Sequence, residues 1–362
     1  MKNIFKLLAF LPLLTACDDL FEPALENNRD LEAMYKEPSY AQGILANAYI
    51  ILPYETSPTS DLATDDAVTN EISSNYLRMA TGSWTANNNP VSQWQNRFNA
   101  IQYINLFLEN VDKVEWAKDE RISTMFLDRL KGEAYGLRAL HMYYLLRAHG
   151  GKIADGTLMG VPIILKSEGP DADFNHARAT YSDCVKQIME DADKAIELLP
   201  LDYKKFADSE IPEKYKNIGV TNASDYRRVC GEEYRGLMSG RIALAVRAQT
   251  ALLAASPAFQ SGSGMTWEQA ADYAAEIIEK ANGGGGCGLD ADGLEWYTLA
   301  DKDYGTGGSP AEVIWRSSTD DNNTLETANF PPSLYGNGRV NPTQNLVDAF
   351  PMANGYPISE TS

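Results

Sequence analysis

From residue 40 onward, apolar side chains recur at steps of three and four, the period of an amphipathic helix, in runs separated by stretches rich in Gly, Asn and Pro. Tyr40, Ile44, Ala48 and Ile51 mark a first helix that ends before Pro53. Trp94, Phe98, Ile101, Ile104, Leu108 and Val111 mark a second. A third starts near Glu120 and carries Phe126, Leu130, Ala134, Leu137, His141, Tyr144 and Ala148, with Gly150-Gly151 placed for a left-handed exit. Thr180 and Asp183 stand at capping-box spacing ahead of Val185, Ile188, Ala192, Ala195 and Leu199, and Pro200 stops that helix. A fifth helix over residues 239–255 is rich in small residues (Ala243, Ala245, Ala248, Ala251, Ala254) that allow close helix approach. Thr266 and Gln269 open a sixth, with Ala270, Tyr273, Ile277 and Ala281, which the glycines from Gly283 must end.

Helices of this kind cannot each bury a stripe alone and must stack. The pattern predicts a mainly α protein, an α-solenoid of tetratricopeptide-like helix pairs with long irregular insertions and few short strands, although the tetratricopeptide consensus itself is absent. The insertions fall at 55–90, 151–179, 201–238 and after 283. Loops longer than ~15 residues are uncommon in compact domains unless they are used, so function is expected in them. Glu312-Val313-Ile314-Trp315 reads as a strand that buries Trp315, and Trp94 as a core residue on its helical face.

The first residues carry an address. Lys2 and Lys6 supply a positive start, and residues 4–14 an apolar stretch shorter than the ~20 residues of a spanning helix. Leu14-Thr15-Ala16-Cys17 resembles the lipobox of bacterial lipoproteins, which implies that residues 1–16 are a lipoprotein signal peptide, that Cys17 takes up acyl chains, and that 17–362 form the mature helical domain. Asp18, Asp19 and Glu22 resemble the acidic signal that sends some lipoproteins to the exterior. The anchor is then lipid and not peptide.

Charge narrows the partners. Fifty acidic residues against 31 basic ones give a net charge of −19 with no cluster of Lys and Arg, which excludes nucleic acid. Beyond Cys17, the remaining Cys184, Cys230 and Cys287 allow at most one disulfide and lack zinc spacing, and Cys184 reads as core. His141 and His149 are eight apart, not at one-turn metal spacing, and His176 is in a loop, so no metal site is expected. Asp290-Ala291-Asp292-Gly293 matches the opening of a calcium loop without its later ligands, a weak case for Ca2+ and the sole cofactor considered. No pair of carboxylates is singled out for glycosidase chemistry, and the protein is read as a non-enzyme.

A surface site for sugars needs exposed aromatic platforms flanked by amides and carboxylates. Trp84, near Asn88 in an Asn-rich insertion with Asp65 and Asp66 upstream, is the best such cluster; Trp296, Tyr304 and Tyr335 lie in similarly polar surroundings. Each aromatic has an alternative use in plugging its own loop onto the helices.

Gly132-Glu133-Ala134-Tyr135-Gly136-Leu137-Arg138-Ala139, then Tyr143-Tyr144-Leu145-Leu146-Arg147, Gly150-Gly151 and Gly160-Val161-Pro162-Ile163 closely resemble the central signature of the SusD/RagB family of outer-membrane nutrient-binding lipoproteins. Ala177-Arg178, the 181–200 helix, Gly240-Arg241 through Ser256-Pro257, and Asn341-Pro342-Thr343-Gln344-Asn345-Leu346-Val347-Asp348-Ala349-Phe350 with Asn354-Gly355 match further family stretches in order. The resemblance implies four tetratricopeptide-like helix pairs on the outer membrane, facing the exterior. It implies capture of oligosaccharides or polysaccharides, with peptides as the alternative, for a partner SusC-like TonB-dependent transporter. Family members usually continue past the last motif, so the C-terminal part is expected to be incomplete. Arg138 is expected to be structural. A protein-binding tetratricopeptide-like scaffold is the competing reading.

If Cys17 is the acyl acceptor, Cys17→Ser releases the protein from the membrane fraction and abolishes fatty-acid labelling. Equal labelling of wild type and variant would refute the anchor.

Overall fold

The computed structural model describes residues 35–53, 60–85, 87–280, 313–315 and 322–358. Cys17, Cys287, Trp296, Tyr304 and the 290–293 motif lie outside the described residues. Its main helices are α1 (Pro38–Ile50), α2 (Asn75–Ala80), α3 (Trp94–Asn110), α4 (Glu120–His149), α5 (Tyr181–Leu198), α6 (Ala223–Cys230), α7 (Gly240–Ala255), α8 (Trp267–Lys280), α9 (Thr324–Asn329) and α10 (Gln344–Ala349). Strands are few and short: β1 (Ala67–Thr69) pairs with β4 (Val340–Pro342), and β2 (Gly151–Lys152) with β3 (Leu158–Met159), both antiparallel.

The long helices stack in chain order: α1 on α3, α3 on α4, α4 on α5, α5 on α7, α7 on α8. That order makes three successive pairs among the described residues, with α4 at the centre. Local chemistry places the helix ends. Pro38 begins α1, where a missing N–H costs nothing. Asp119 accepts from the Arg121 amide at the start of α4, Thr180 from Asp183 N at 3.0 Å, and Ser239 from Ile242 N at 3.3 Å. Thr266 and Gln269 form a reciprocal capping box, side chain to amide both ways, at 2.9 and 3.2 Å.

The buried faces follow the apolar periods: Ala41, Ile44, Leu45 and Ala48 of α1 meet Ala100, Ile101, Ile104 and Phe107 of α3, and Leu137, Ile188, Ala192, Ala195, Ala243 and Ala251 continue the same core. Cys184 is buried in it and Cys230 in a smaller one; both are free thiols. One histidine is equally internal. His141 is buried, its Nδ1 accepting from Arg97 Nη1 at 3.1 Å while Nε2 donates to the Ala48 carbonyl at 3.1 Å, an arrangement that requires the neutral ring.

Four expectations change. Gly150 leaves α4 in an extended conformation at φ −74° and not left-handed. Its lack of a side chain matters sterically, since a Cβ would lie 2.6 Å from the Leu146 carbonyl oxygen and 2.9 Å from Tyr181. Trp94 is 43% exposed, because it sits at the first residue of α3 where the helix face has run out of neighbours, and it meets only the edges of Phe98 and His149 among the described rings. Residues 313–315 form no strand; Trp315 is half-buried against the core and its indole donates to Gly236 O at 2.8 Å. Finally, the 201–238 insertion is not an open loop. Ile211, Tyr215, Val220, Tyr226, Val229 and Cys230 close on Ile122 and Met125 of α4 as a second small core.

Insertion 151–179 is pinned as well. Asn105 donates to the carbonyls of Ile164 and Lys166 at 2.9 and 3.1 Å, Gln102 exchanges two bonds with the Glu168 backbone, and Glu109 accepts from Ser167 N at 2.8 Å. Gln102, Asn105 and Glu109 lie on one face of α3, so their side chains satisfy an extended segment as a neighbouring strand would.

Arg138 is buried and structural: Nε and Nη2 donate to Asp191 at 2.7 and 2.8 Å, and Nη1 to Asn105 Oδ1 at 2.9 Å. Asp191→Ala would strand a buried guanidinium, and a loss of about 3–5 kcal/mol in denaturant unfolding is expected. Burial, with Arg97 adding to it, pushes His141 down to about 3. An unfolded histidine takes up a proton near pH 6.5, which the folded site refuses, so stability falls as pH drops through that window. Between pH 7 and 5 this group removes about 2 kcal/mol; His141→Gln, which preserves both hydrogen-bond directions, should flatten that part of the stability–pH profile.

Candidate functional site

Two insertions, 60–85 and 322–358, meet in a face built unlike the helical stack. Thr69 of β1 pairs with Val340 of β4 and Ala67 with Pro342, where a proline's missing donor is tolerated at the end of a ladder. Beyond the ladder, Thr343 N donates to Asp66 O at 2.8 Å and its hydroxyl to Asp65 O, while the same hydroxyl caps α10 by accepting from Leu346 N at 3.3 Å. Asn70 binds across as well, its amide to Arg339 O and its side chain to Asn337 O at 3.1 Å.

A pocket of about 240 Å³ lies between the two segments, with Leu62, Tyr76 and Val340 as apolar wall. Its polar lining comprises Thr69, Glu71, Ser74, Asn75, Asn329 and Arg339. Arg339 and Glu71 form a loose ion pair, 3.8 Å apart and half-exposed on both sides. The arrangement offers donors, acceptors and a little apolar surface within reach of one small polar ligand.

None of the predicted residues that the structure describes lines this pocket, and they are not brought together elsewhere. Asp65 and Asp66 precede β1 and are exposed; their carbonyls hold Thr343, and Asp65 Oδ2 accepts weakly from Asn345 at 3.4 Å. Trp84 follows α2, 46% exposed, at the start of a tight turn in which Asn88 N donates to Thr85 O at 2.9 Å. Asn88 is half-buried in that turn. Tyr335 is 97% exposed at the tip of the loop joining α9 to β4. It holds φ at +64°, a conformation that costs a residue with a side chain about 1–3 kcal/mol. Neighbouring packing imposes it: a Cβ on Gly336 would fall 2.0 Å from Phe330 O, and Gly338 N donates back to Phe330 O at 2.9 Å.

Glu71, Asn75 and Arg339 were not among the residues expected from sequence. A larger groove of about 500 Å³ is lined by Ile196, Leu199, Leu201, Gly240, Glu279 and Lys280. Its walls are mostly aliphatic, which suits an apolar partner better than a hydroxyl-rich one. Among the described residues no group of His, Cys, Asp and Glu is arranged to hold a metal ion, and no helix is long and apolar enough to cross a membrane.

This architecture has relatives. Residues 25–214 match a SusD-like family whose description is starch-binding associating with outer membrane, and the chain belongs to that family. A SusD-like protein from Bacteroides fragilis superposes with a TM-score of 0.62 at 19% identity, over 93% of this chain and 57% of its own. A SusD superfamily protein from Bacteroides vulgatus gives 0.58 at 19% identity over 87% and 62%, and a SusD-like carbohydrate binding protein from B. fragilis 0.57 at 18% over 90% and 55%. At these identities the likeness is one of fold, and the chain spans less than two thirds of each structure's length. No curated protein matches the chain.

Proposed function

We propose that the protein is a glycan-capturing lipoprotein of the outer membrane, held through Cys17, facing the exterior, and passing oligosaccharides to a SusC-like TonB-dependent transporter. Capture, not cleavage, is its task. Family membership supports outer-membrane association, and one of the two B. fragilis structures is described as a carbohydrate binding protein. The observation that carries the reading is the composite face of 60–85 and 322–358, where a polar pocket lies between segments that also present the exposed rings of Trp84 and Tyr335. Sugars have apolar C–H faces and a rim of hydroxyls, so rings and amides or carboxylates are the pairing they require. The protein-binding scaffold remains as a second reading, supported by the aliphatic groove at Ile196, Leu199 and Leu201.

Trp84→Ala is expected to weaken glycan binding by more than ~1 kcal/mol, about fivefold in affinity, as loss of an aromatic platform does. Because the ring is half-exposed, the melting temperature should stay near the wild-type value. Calorimetric titration paired with a thermal melt reads both. Unchanged affinity removes Trp84 from the site; a large fall in melting temperature shows instead that it plugs its own loop.

A further inference from the structure

The charges around the 240 Å³ pocket narrow the kind of sugar it takes, on the footing of the glycan reading above. Of the lining residues, Arg339 is the one cation and Glu71 the one anion, and Arg339 Nη1 stands 3.8 Å from Glu71 Oε2. The guanidinium that would attract an acidic ligand is therefore already balanced within the pocket. The two segments that form it lean the other way: besides the lining pair, their described residues carry Asp61, Asp65, Asp66, Glu326 and Asp348 against Arg78. The whole chain, at −19, adds to the same sign.

A uronate or sulfate entering this pocket must replace Glu71 beside Arg339, which exchanges one anion for another. It must also approach a protein of net charge −19, a repulsion that salt screens over a length of ~8 Å at physiological ionic strength. A neutral sugar meets no such barrier. Its hydroxyls need only donors and acceptors, and Arg339 and Glu71 supply one of each side by side, with Thr69, Ser74, Asn75 and Asn329 around them. A pocket smaller than the ~300–1,000 Å³ of drug-sized sites suits one sugar unit of a longer chain.

We propose that this pocket selects uncharged sugar units and rejects uronic or sulfated ones, and that Glu71 sets the rejection by occupying Arg339.

The test is titration of the full chain against neutral polysaccharides (α-glucan, β-glucan, xylan, mannan) and acidic ones (polygalacturonate, alginate, chondroitin sulfate), at low salt and at ~0.15 M salt. The acidic polymers should bind at least about tenfold more weakly than the best neutral one at low salt, with the gap narrowing as salt screens the repulsion. In Glu71→Gln, checked for folding by thermal melt, the ratio of acidic to neutral affinity should rise at least about fivefold, because Arg339 is released. Acidic polymers binding as tightly as neutral ones to wild type, or an unchanged ratio in folded Glu71→Gln, overturns the proposal while leaving glycan capture standing. Binding of no polysaccharide overturns glycan capture and the selectivity together. If Glu71→Gln does not fold, Glu71→Ser is scored by the same ratio, where an unchanged value overturns the proposal and a rise of about fivefold or more supports it.

Discussion

One buried guanidinium sets the geometry of the helical stack. Arg138, in the middle of α4, grips Asp191 of α5 with two parallel hydrogen bonds and Asn105 of α3 with a third. Apolar residues of the same volume would give similar or greater stability, since desolvating the charges offsets most of their attraction. What the fork adds is register. Its donors are fixed in one plane, so α3 and α5 meet α4 at one rotation and one height. Asn105 extends the constraint, because its oxygen is committed to Arg138 and its NH2 must then face outward, to the carbonyls of Ile164 and Lys166. The course of an insertion is thereby tied to the centre of the core.

Similar polar ties attach the first helix. Tyr49 of α1 donates to buried Glu133 of α4 at 2.8 Å and accepts from Met238 N at 3.0 Å, while Glu133 pairs with Arg129 at 3.2 Å. Burial pushes the Glu133 carboxyl up and Arg129 pulls it back, and the guanidinium itself lies over the Tyr234 ring at 4.0 Å. With the His141 cluster, these pairs give the contacts of α4 with α1, α3 and α5 a directional component as well as an apolar one. The face of 60–85 and 322–358 is built differently, with short elements, little buried surface and exposed rings, which is how stable scaffolds carry adaptable binding segments.

The long helices were legible because each shows two or more turns of period, and caps at Thr180, Ser239 and Thr266 declare where three of them begin. Helices of six to eight residues, α2, α6, α9 and α10, do not repeat often enough to be read, and they fall inside the insertions. Trp94 kept its apolar period but lost its neighbours at a helix end, and Trp315 found Gly236, a partner far off in the chain. The candidate site was legible in kind and not in composition. Exposed aromatics among polar residues point to the insertion, but Glu71 and Arg339 meet only because β1 pairs with β4, and a three-residue ladder joining opposite ends of the chain leaves no periodic trace.

That ladder also determines how binding and folding are linked. Thr343 reaches Asp65 across 278 residues, but the intervening helical stack is already folded, so three residue pairs, two bonds from Thr343 and the Asn70 bonds need order only the two segments themselves. The core does little of this work here, since Ala67 and Leu62 are the buried apolar residues of the 60–85 segment and 322–358 has none. A ligand lodged between Glu71 and Asn75 on one side and Asn329 and Arg339 on the other touches both halves at once. A ligand that requires both halves would stabilise the ladder by mass action. Thr69 and Val340 of the ladder are themselves part of the pocket wall, so a substitution that loosens the pairing would also alter the surface a ligand meets.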